Sequence, residues 1–329
     1  MNKENLKIVF FGTPEFAVES LDALVTNGFN VAGVVTMPDK PAGRGHRMYQ
    51  SPVKEYALAH GLPLLQPVNL KDPEFQARLK AWGADLFIVI AFRMLPEAVW
   101  QMPPLGTFNL HASLLPRYRG AAPINWAVIN GDTETGVTTF FLKHEIDTGD
   151  IIAQERIEIL PTDNVGDVHD RLMSLGARLT VDTVNHIIAG DLTTIPQERM
   201  LAGAEPTPAP KIFKETCLID WTKPALQVHN LVRGLSPYPC AWCDVFDCTA
   251  EDDTRLTTLK IAETAMTDMR SDLPAGTIVT GRGTLGVVCG DGRLLEIRRL
   301  QPSGKRMMQA DEYLRGARLP ETATCRPKA

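Results

Sequence analysis

The sequence predicts an α/β domain built on a doubly wound parallel sheet, followed by a smaller β-barrel. Three observations carry this. Residues 6–11 (LKIVFF) are apolar apart from Lys7, as a central parallel strand is, and strand-type and helix-type segments then alternate. Residues 190–210 are rich in Thr, Pro, Ala and Gly, have no apolar period and read as a linker. Beyond them, short β-type runs recur at even spacing. The expected division is therefore 1–189, a linker at 190–210, and 211–329.

Each element has its own signal. After the first strand, Gly12-Thr13-Pro14 turns the chain into a helix, with Thr13 as its expected cap and Pro14 at the first helical position. Phe16, Leu21, Leu24 and Val25 give that helix one apolar face, and Asn27-Gly28 ends it. Residues 31–36 form a second strand, so strand, helix and strand make a parallel βαβ unit. Residues 38–51 show neither period and read as a loop; residues 51–60 are helical, stopped by Gly61. Residues 86–91 are a third buried strand, and residues 105–110, 136–142 and 151–160 are later ones. Residues 162–189 form a helix that lines up Val165, Val168, Leu172, Leu175, Leu179 and Val184. Past the linker, residues 223–232 are a helix stopped by Gly234. Strands are expected at 242–246, 257–263, 276–280, 285–289 and 294–300, with Asp291-Gly292 as a hairpin turn between the last two.

A chain of 329 residues with 44% hydrophobic content has ample material for two cores. The longest apolar run, residues 86–92, is too short to span a bilayer, and no signal core precedes the first strand. Six cysteines in this length do not suggest a disulfide framework. A cytoplasmic protein with reduced thiols, no membrane partner and a monomeric state is expected. Cys240, Cys243 and Cys248 form an incomplete metal set, so no metal is expected. The net charge of −5 argues against a uniformly basic nucleic-acid binder. The distribution is uneven, however. Arg293, Arg298, Arg299, Lys305, Arg306, Arg315 and Arg318 stand against only Glu296, Asp311 and Glu312. Gly12 is not part of a Gly-x-Gly-x-x-Gly string, and no acidic residue closes the second strand. The first domain is thus Rossmann-like without being a dinucleotide site.

The chemistry centres on Asn109 and His111. Two residues apart on a strand, they share a face. An amide donor beside an imidazole can hold a carbonyl oxygen as negative charge grows on it. A carboxylate brought near by the fold, such as Asp147, can orient that imidazole and favour its protonated form. No Ser or Cys nucleophile accompanies them, so direct transfer fits better than a covalent intermediate. Taken alone, Asn-x-His at a strand end is ordinary. Here it is followed by Ser113-Leu114-Leu115-Pro116 and Gly120, and later by Asp147-Thr148-Gly149-Asp150.

This ordered string resembles the signature of the 10-formyltetrahydrofolate-dependent formyltransferases. The resemblance implies that Asn109, His111 and Asp147 carry the chemistry and that Ser113, Leu114, Leu115, Pro116 and Gly120 border the folate site. The run Pro41-Ala42-Gly43-Arg44-Gly45 is similar to a loop of the branch that formylates initiator methionyl-tRNA, and it implies that Arg44 meets the acceptor arm. Lys211 and Lys214, beside the linker, are implied tRNA contacts. Arg298 and Lys305 are added to them from the basic stretch near a hairpin. Further matches are Ile219-Asp220-Trp221 and residues 300–305. With them the resemblance extends over nearly the whole chain, and an OB-like barrel is implied for the second domain. Arg93 and Lys143-His144-Glu145 depart from the family pattern beside the folate pocket. Two other readings stay open. A formyltransferase for a small amine would need neither the Arg44 loop nor the barrel. A non-enzymatic RNA binder would explain the basic stretch but not the Asn, His and Asp set.

Overall fold

The computed structural model describes residues 2–42, 47–201, 205–248, 254–317 and 319–326. In chain order the first elements are β1 (Lys7–Gly12), α1 (Glu15–Thr26), β2 (Asn30–Val35), β3 (Lys40–Ala42), β4 (Arg47–Tyr49), α2 (Pro52–Ala59), β5 (Leu64–Leu65), α3 (Pro73–Ala81), β6 (Leu86–Ile90), α4 (Glu97–Trp100) and β7 (Thr107–His111). They are followed by β8 (Arg119–Gly120), α5 (Pro123–Ile129), β9 (Glu134–Phe141), β10 (Ile151–Glu158) and α6 (Val165–Ala189).

The main sheet runs β10-β9-β7-β6-β1-β2-β5. From β5 to β7 all neighbours are parallel. The order reverses at β1, which has β2 on one side and β6 on the other, as a doubly wound sheet requires. The parallel strands are apolar because both faces are covered: Val9, Phe11, Val35, Phe87 and Val89 pack with Phe75 and Leu79 of α3 in one core. β9 departs from the expected all-parallel sheet by pairing antiparallel with β7.

Three local expectations are corrected. Thr13 does not cap α1; Pro14 holds the cap position, no side chain bonds there, and the Thr13 hydroxyl oxygen is buried without a partner. In α2, by contrast, Ser51 caps as a serine should, accepting from the Lys54 N–H at 3.1 Å. The segment read as a loop at 38–51 holds the antiparallel pair β3 and β4, too short to show an alternation. The stretch 190–210 is not bare linker. It contains α7 (Gln197–Leu201) and β11 (Pro208–Ala209), and β11 pairs parallel with β8. Both depend on polar and backbone partners, which leave no apolar period to read.

The remaining elements are α8 (Ala225–Gly234), β12 (Ala241–Asp247), β13 (Thr254–Ala265), β14 (Ile278–Thr280), β15 (Leu285–Val288), β16 (Leu294–Pro302), β17 (Met308–Gln309), α9 (Ala310–Gly316) and β18 (Ala323–Arg326). They form a sheet in the order β14-β15-β16-β13-β12-β18. A bridge between Thr277 and Thr324 joins its two ends, so this antiparallel sheet is nearly closed, as the barrel expectation has it. Its interior holds Val245, Leu259, Ile261, Val287, Leu295 and Ile297, with Val228 and Val232 of α8 against them. Gly292 turns the β15–β16 hairpin with φ +74°. β17, α9 and β18 carry no periodic signal long enough to have been read.

Contacts along the chain divide it into two compact units. One comprises Met1–Pro123, Thr135–Ile157 and His169–Ala209; the other comprises Ile124–Glu134, Glu158–Val168 and Pro210–Ala329. No described helix is long and apolar enough to cross a membrane.

His229 of α8 lies half-buried with Nδ1 2.8 Å from the Thr264 hydroxyl. Burial, and then the Arg233 charge one turn on, push its pKa below the ordinary 6.5. The unfolded chain therefore takes the proton first as pH falls. Stability from this group is complete above pH ~6.5 and lost on acidification below it. The melting temperature should fall between pH 7.5 and 5.5, and the fall should shrink in His229→Gln. An undiminished fall in that variant would place the acid sensitivity elsewhere.

Candidate active site

β7 places the first two residues. Phe108 and Leu110 point into the core, so Asn109 and His111 share the opposite face. The register carries this across the sheet: Asn109 lies beside Val89 of β6 on one side and Phe140 of β9 on the other, and His111 lies beside Thr138. The connection from β9 to β10 brings in the third. Its base is closed by the Phe141 N–H donating to the Asp150 carbonyl at 3.1 Å. Gly149 passes so close to the Phe141 carbonyl that a Cβ would sit 1.6 Å from its oxygen, which admits no other residue. Asp147 takes a left-handed φ of +55° within this loop.

The structure brings the three together. Asp147 Oδ2 stands 3.9 Å from His111 Nδ1, a charge-pair distance and too long for a hydrogen bond. The same oxygen accepts the Gly120 N–H at 2.9 Å. His111 is 7% exposed, and its Nε2 lies 2.9 Å from the Tyr118 carbonyl oxygen. A carbonyl can only accept, so Nε2 carries the proton and a neutral ring leaves Nδ1 bare toward Asp147. The imidazole is therefore oriented by a main-chain carbonyl, not by the carboxylate as the sequence suggested. Asp147 is left facing the open Nδ1 at charge-pair distance. Asn109 Oδ1 is buried without a partner. A buried acceptor left unpaired costs about 1–3 kcal/mol, so a water or a bound molecule at this face would complete it.

The segment from Ser113 to Gly120 is held by its own hydrogen bonds. Ser113 is fully buried and its hydroxyl donates to the Arg117 carbonyl at 2.7 Å. The Leu115 N–H donates to Thr138 Oγ1, and Gln154 Nε2 donates to the Leu115 carbonyl at 2.8 Å. Ser113 and Leu115, with Pro116 buried beside them, thus serve the loop that carries Tyr118. Leu114 is half-buried. Gly120 has φ +126° and supplies the amide that holds Asp147.

Arg93, the departure beside the expected folate pocket, donates through Nη1 to the Val68 carbonyl at 2.7 Å and through Nη2 to that of Pro67. It clips the connection after β5 to the end of β6. Lys143, in the second departure, pairs with Asp150 at 2.8 Å. Sequence reasoning missed the Tyr118 carbonyl, because main-chain groups leave no composition signal. It also missed Gln197, which lies in the stretch read as linker.

Among the expected tRNA contacts, Arg44 lies outside the described residues. Lys211 and Lys214 are exposed, with ammonium groups 5.7 Å from the Phe213 ring and 5.3 Å from the Trp242 ring. Arg298 and Lys305 are also exposed, and Arg298 stands 3.9 Å from Glu296. The basic residues do not form the alternating face expected of a regular hairpin. Register shifts where β13 meets β16 turn Arg298 and Arg299 both outward. Arg306 is paired with Glu312.

Comparison with known proteins is consistent along the whole chain. Residues 6–184 match the model of the formyl transferase family, and residues 211–318 match that of the formyl transferase C-terminal domain. A methionyl-tRNA formyltransferase of Bacteroides fragilis is 59% identical over 322 residues, 98% of this chain and 98% of that protein. One from Bacteroides thetaiotaomicron is 57% identical over 320 residues, 97% and 98% of the two chains. Among solved structures, the N-formyltransferase from Helicobacter canadensis in complex with folinic acid and dTDP-3-aminofucose superposes with a TM-score of 0.64 at 20% identity. It covers 90% of this chain and 99% of its own, and shares the fold. With both halves matched and relatives aligned end to end, the chain belongs to the formyl transferase family.

Proposed function

We propose that this protein moves a formyl group from 10-formyltetrahydrofolate to the α-amine of initiator methionyl-tRNA, the modification that prepares it for translation initiation. The observation that carries this is the 59% identity to a methionyl-tRNA formyltransferase over 98% of both chains. The Asn109, His111 and Asp147 arrangement supports the chemistry. Attack of the amine on the formyl carbon turns its oxygen into an oxyanion; collapse of that intermediate breaks the bond from the formyl carbon to N10 of the folate, and the proton given up by the amine ends on the departing nitrogen. In this reading Asn109, through its amide N–H, and the proton-bearing form of His111 donate to that oxygen. Asp147, 3.9 Å from Nδ1, stabilises the charge that His111 gains when it takes up a proton. Gly120 keeps the carboxylate aimed by donating its N–H. The formyl donor is a co-substrate, and the unpaired Asn109 Oδ1 fits a site completed by a bound molecule. The segment Ser113, Leu114, Leu115, Pro116 and Gly120 is read as bordering the folate, with Leu114 half-buried.

A sugar amine is the second reading, because the N-formyltransferase fold neighbour spans 90% of this chain. The barrel-bearing half therefore does not by itself separate the two acceptors. The test is release of tetrahydrofolate from 10-formyltetrahydrofolate, with charged initiator tRNA compared against an amino-sugar nucleotide. Transfer to the tRNA alone is expected; preference for the sugar would overturn the reading.

Changing Asn109, His111 or Asp147 singly to Ala should lower kcat by about two to four powers of ten. Paired changes should cost far less than the product of the single ones. Near-normal turnover in Asp147→Ala would remove it from the reacting set.

Arg44, Lys211, Lys214, Arg298 and Lys305 are proposed to contact the tRNA. Reversing charge at Arg298 and Lys305 should flatten the dependence of tRNA affinity on salt by roughly one unit of slope per lost phosphate contact. An unchanged slope would clear these two residues of any phosphate contact. Arg44→Ala should impair tRNA use without weakening folate binding.

A further inference from the structure

We propose that Gln197, held by Arg119, is a positioning residue that fixes Asp147 for formyl transfer. Gln197 opens α7 and is fully buried. Its Nε2 donates to the Asp147 carbonyl at 2.9 Å and to the Gly149 carbonyl at 2.8 Å. Its Oε1 accepts from Arg119 Nε at 3.0 Å and Nη2 at 2.7 Å. Both amide hydrogens and both oxygen lone pairs are therefore used. The orientation of this amide is not ambiguous: a guanidinium has only donors, so the oxygen must face Arg119 and the nitrogen must face the two carbonyls.

The brace joins the same two segments as the catalytic contact. Arg119 and Gly120 are the two residues of β8; one grips Gln197 and the other donates to the Asp147 carboxylate at 2.9 Å. Asp147 is thus held twice: its carboxylate directly by Gly120 of β8, and its carbonyl by Gln197, which Arg119 of the same strand grips. This matters because its backbone sits at φ +55°, a region an L-residue occupies only when its surroundings enforce it. Release of the Asp147 and Gly149 carbonyls frees the loop to turn away from that conformation. The carboxylate then leaves its 3.9 Å station beside His111 Nδ1. An error of that size far from the reacting atoms can cost about a hundredfold in rate.

The inference rests on the reading that Asp147 serves formyl transfer, and the test keeps the two apart. In the full-length protein, Gln197→Glu preserves volume and the grip of Arg119 but sets an oxygen against two carbonyl oxygens. We expect kcat to fall by about ten- to a hundredfold, with KM for both substrates nearly unchanged. Hydrogen exchange at the Gly120 amide should speed up as its acceptor moves away. In an Asp147→Ala background the same substitution should add little. Arg119→Lys, which keeps the charge but loses the two-nitrogen grip, should show the same pattern more mildly, and serves if Gln197→Glu does not fold. A fall in KM-limited rate alone, an equal loss in the Asp147→Ala background, or unchanged exchange at Gly120 would each overturn the inference. If the unaltered protein formylates no methionyl-tRNA, the proposed function fails while the Gly120 exchange still decides whether the brace holds Asp147.

Discussion

A carboxylate has to stand beside an imidazole without bonding to it, and the architecture around Asp147 follows from that constraint. At 3.9 Å from Nδ1, Oδ2 faces the imidazole at charge-pair distance and leaves the nitrogen open. A direct hydrogen bond would fill Nδ1 before substrate arrived. The separation persists because each partner is tied elsewhere, His111 to the Tyr118 carbonyl and Asp147 to the Gly120 amide. Both anchors lie within three residues of one loop. Placing that loop therefore places the acid–base pair, and its own fixing by Thr138 and Gln154 becomes part of the chemistry.

The sheet explains why these segments meet. β9 turns back against β7, so Thr138 lies beside His111 and is in place to pin the loop that leaves β7. A further parallel strand would have needed a crossover and would have carried the chain away from the site. The antiparallel edge instead lets the short connection after β9 return Asp147 to the imidazole. Left-handed backbone at both Tyr118 and Asp147, at φ +62° and +55°, is a local cost of about 1–2 kcal/mol each. It is borne by the Tyr118 N–H on the Thr207 carbonyl and by the bonds of Gly120 and Gln197 to Asp147.

What could be read from the sequence was whatever leaves a periodic or chemical trace. The buried strands around residues 8–11 and 86–90, the long helix after residue 165 and the Asp291-Gly292 hairpin were legible because apolar spacing or turn chemistry encodes them. Asn109 and His111 were legible because a strand of period two puts them on one face. Asp147 came through the resemblance of its motif, since no spacing connects it to residue 111. The Tyr118 carbonyl was not legible, because backbone groups are the same at every residue. Gln197 was hidden for a related reason: it is a polar residue in a Pro- and Thr-rich stretch whose partners are carbonyls about fifty positions away. Ser113 and Leu115 came to the folate border through the family resemblance; what no pattern in the sequence shows is that Ser113 and the Leu115 main chain also fix the loop itself.

The central claim is that His111 keeps its Nε2 proton on the Tyr118 carbonyl and presents a bare Nδ1 to Asp147. Ring-nitrogen NMR of the protein labelled with ¹⁵N in histidine tests this most directly, at a pH where the imidazole is neutral. The account requires the His111 ring to be the Nε2–H tautomer, with that proton in a hydrogen bond, and Nδ1 unprotonated. A neutral ring protonated at Nδ1 would contradict it.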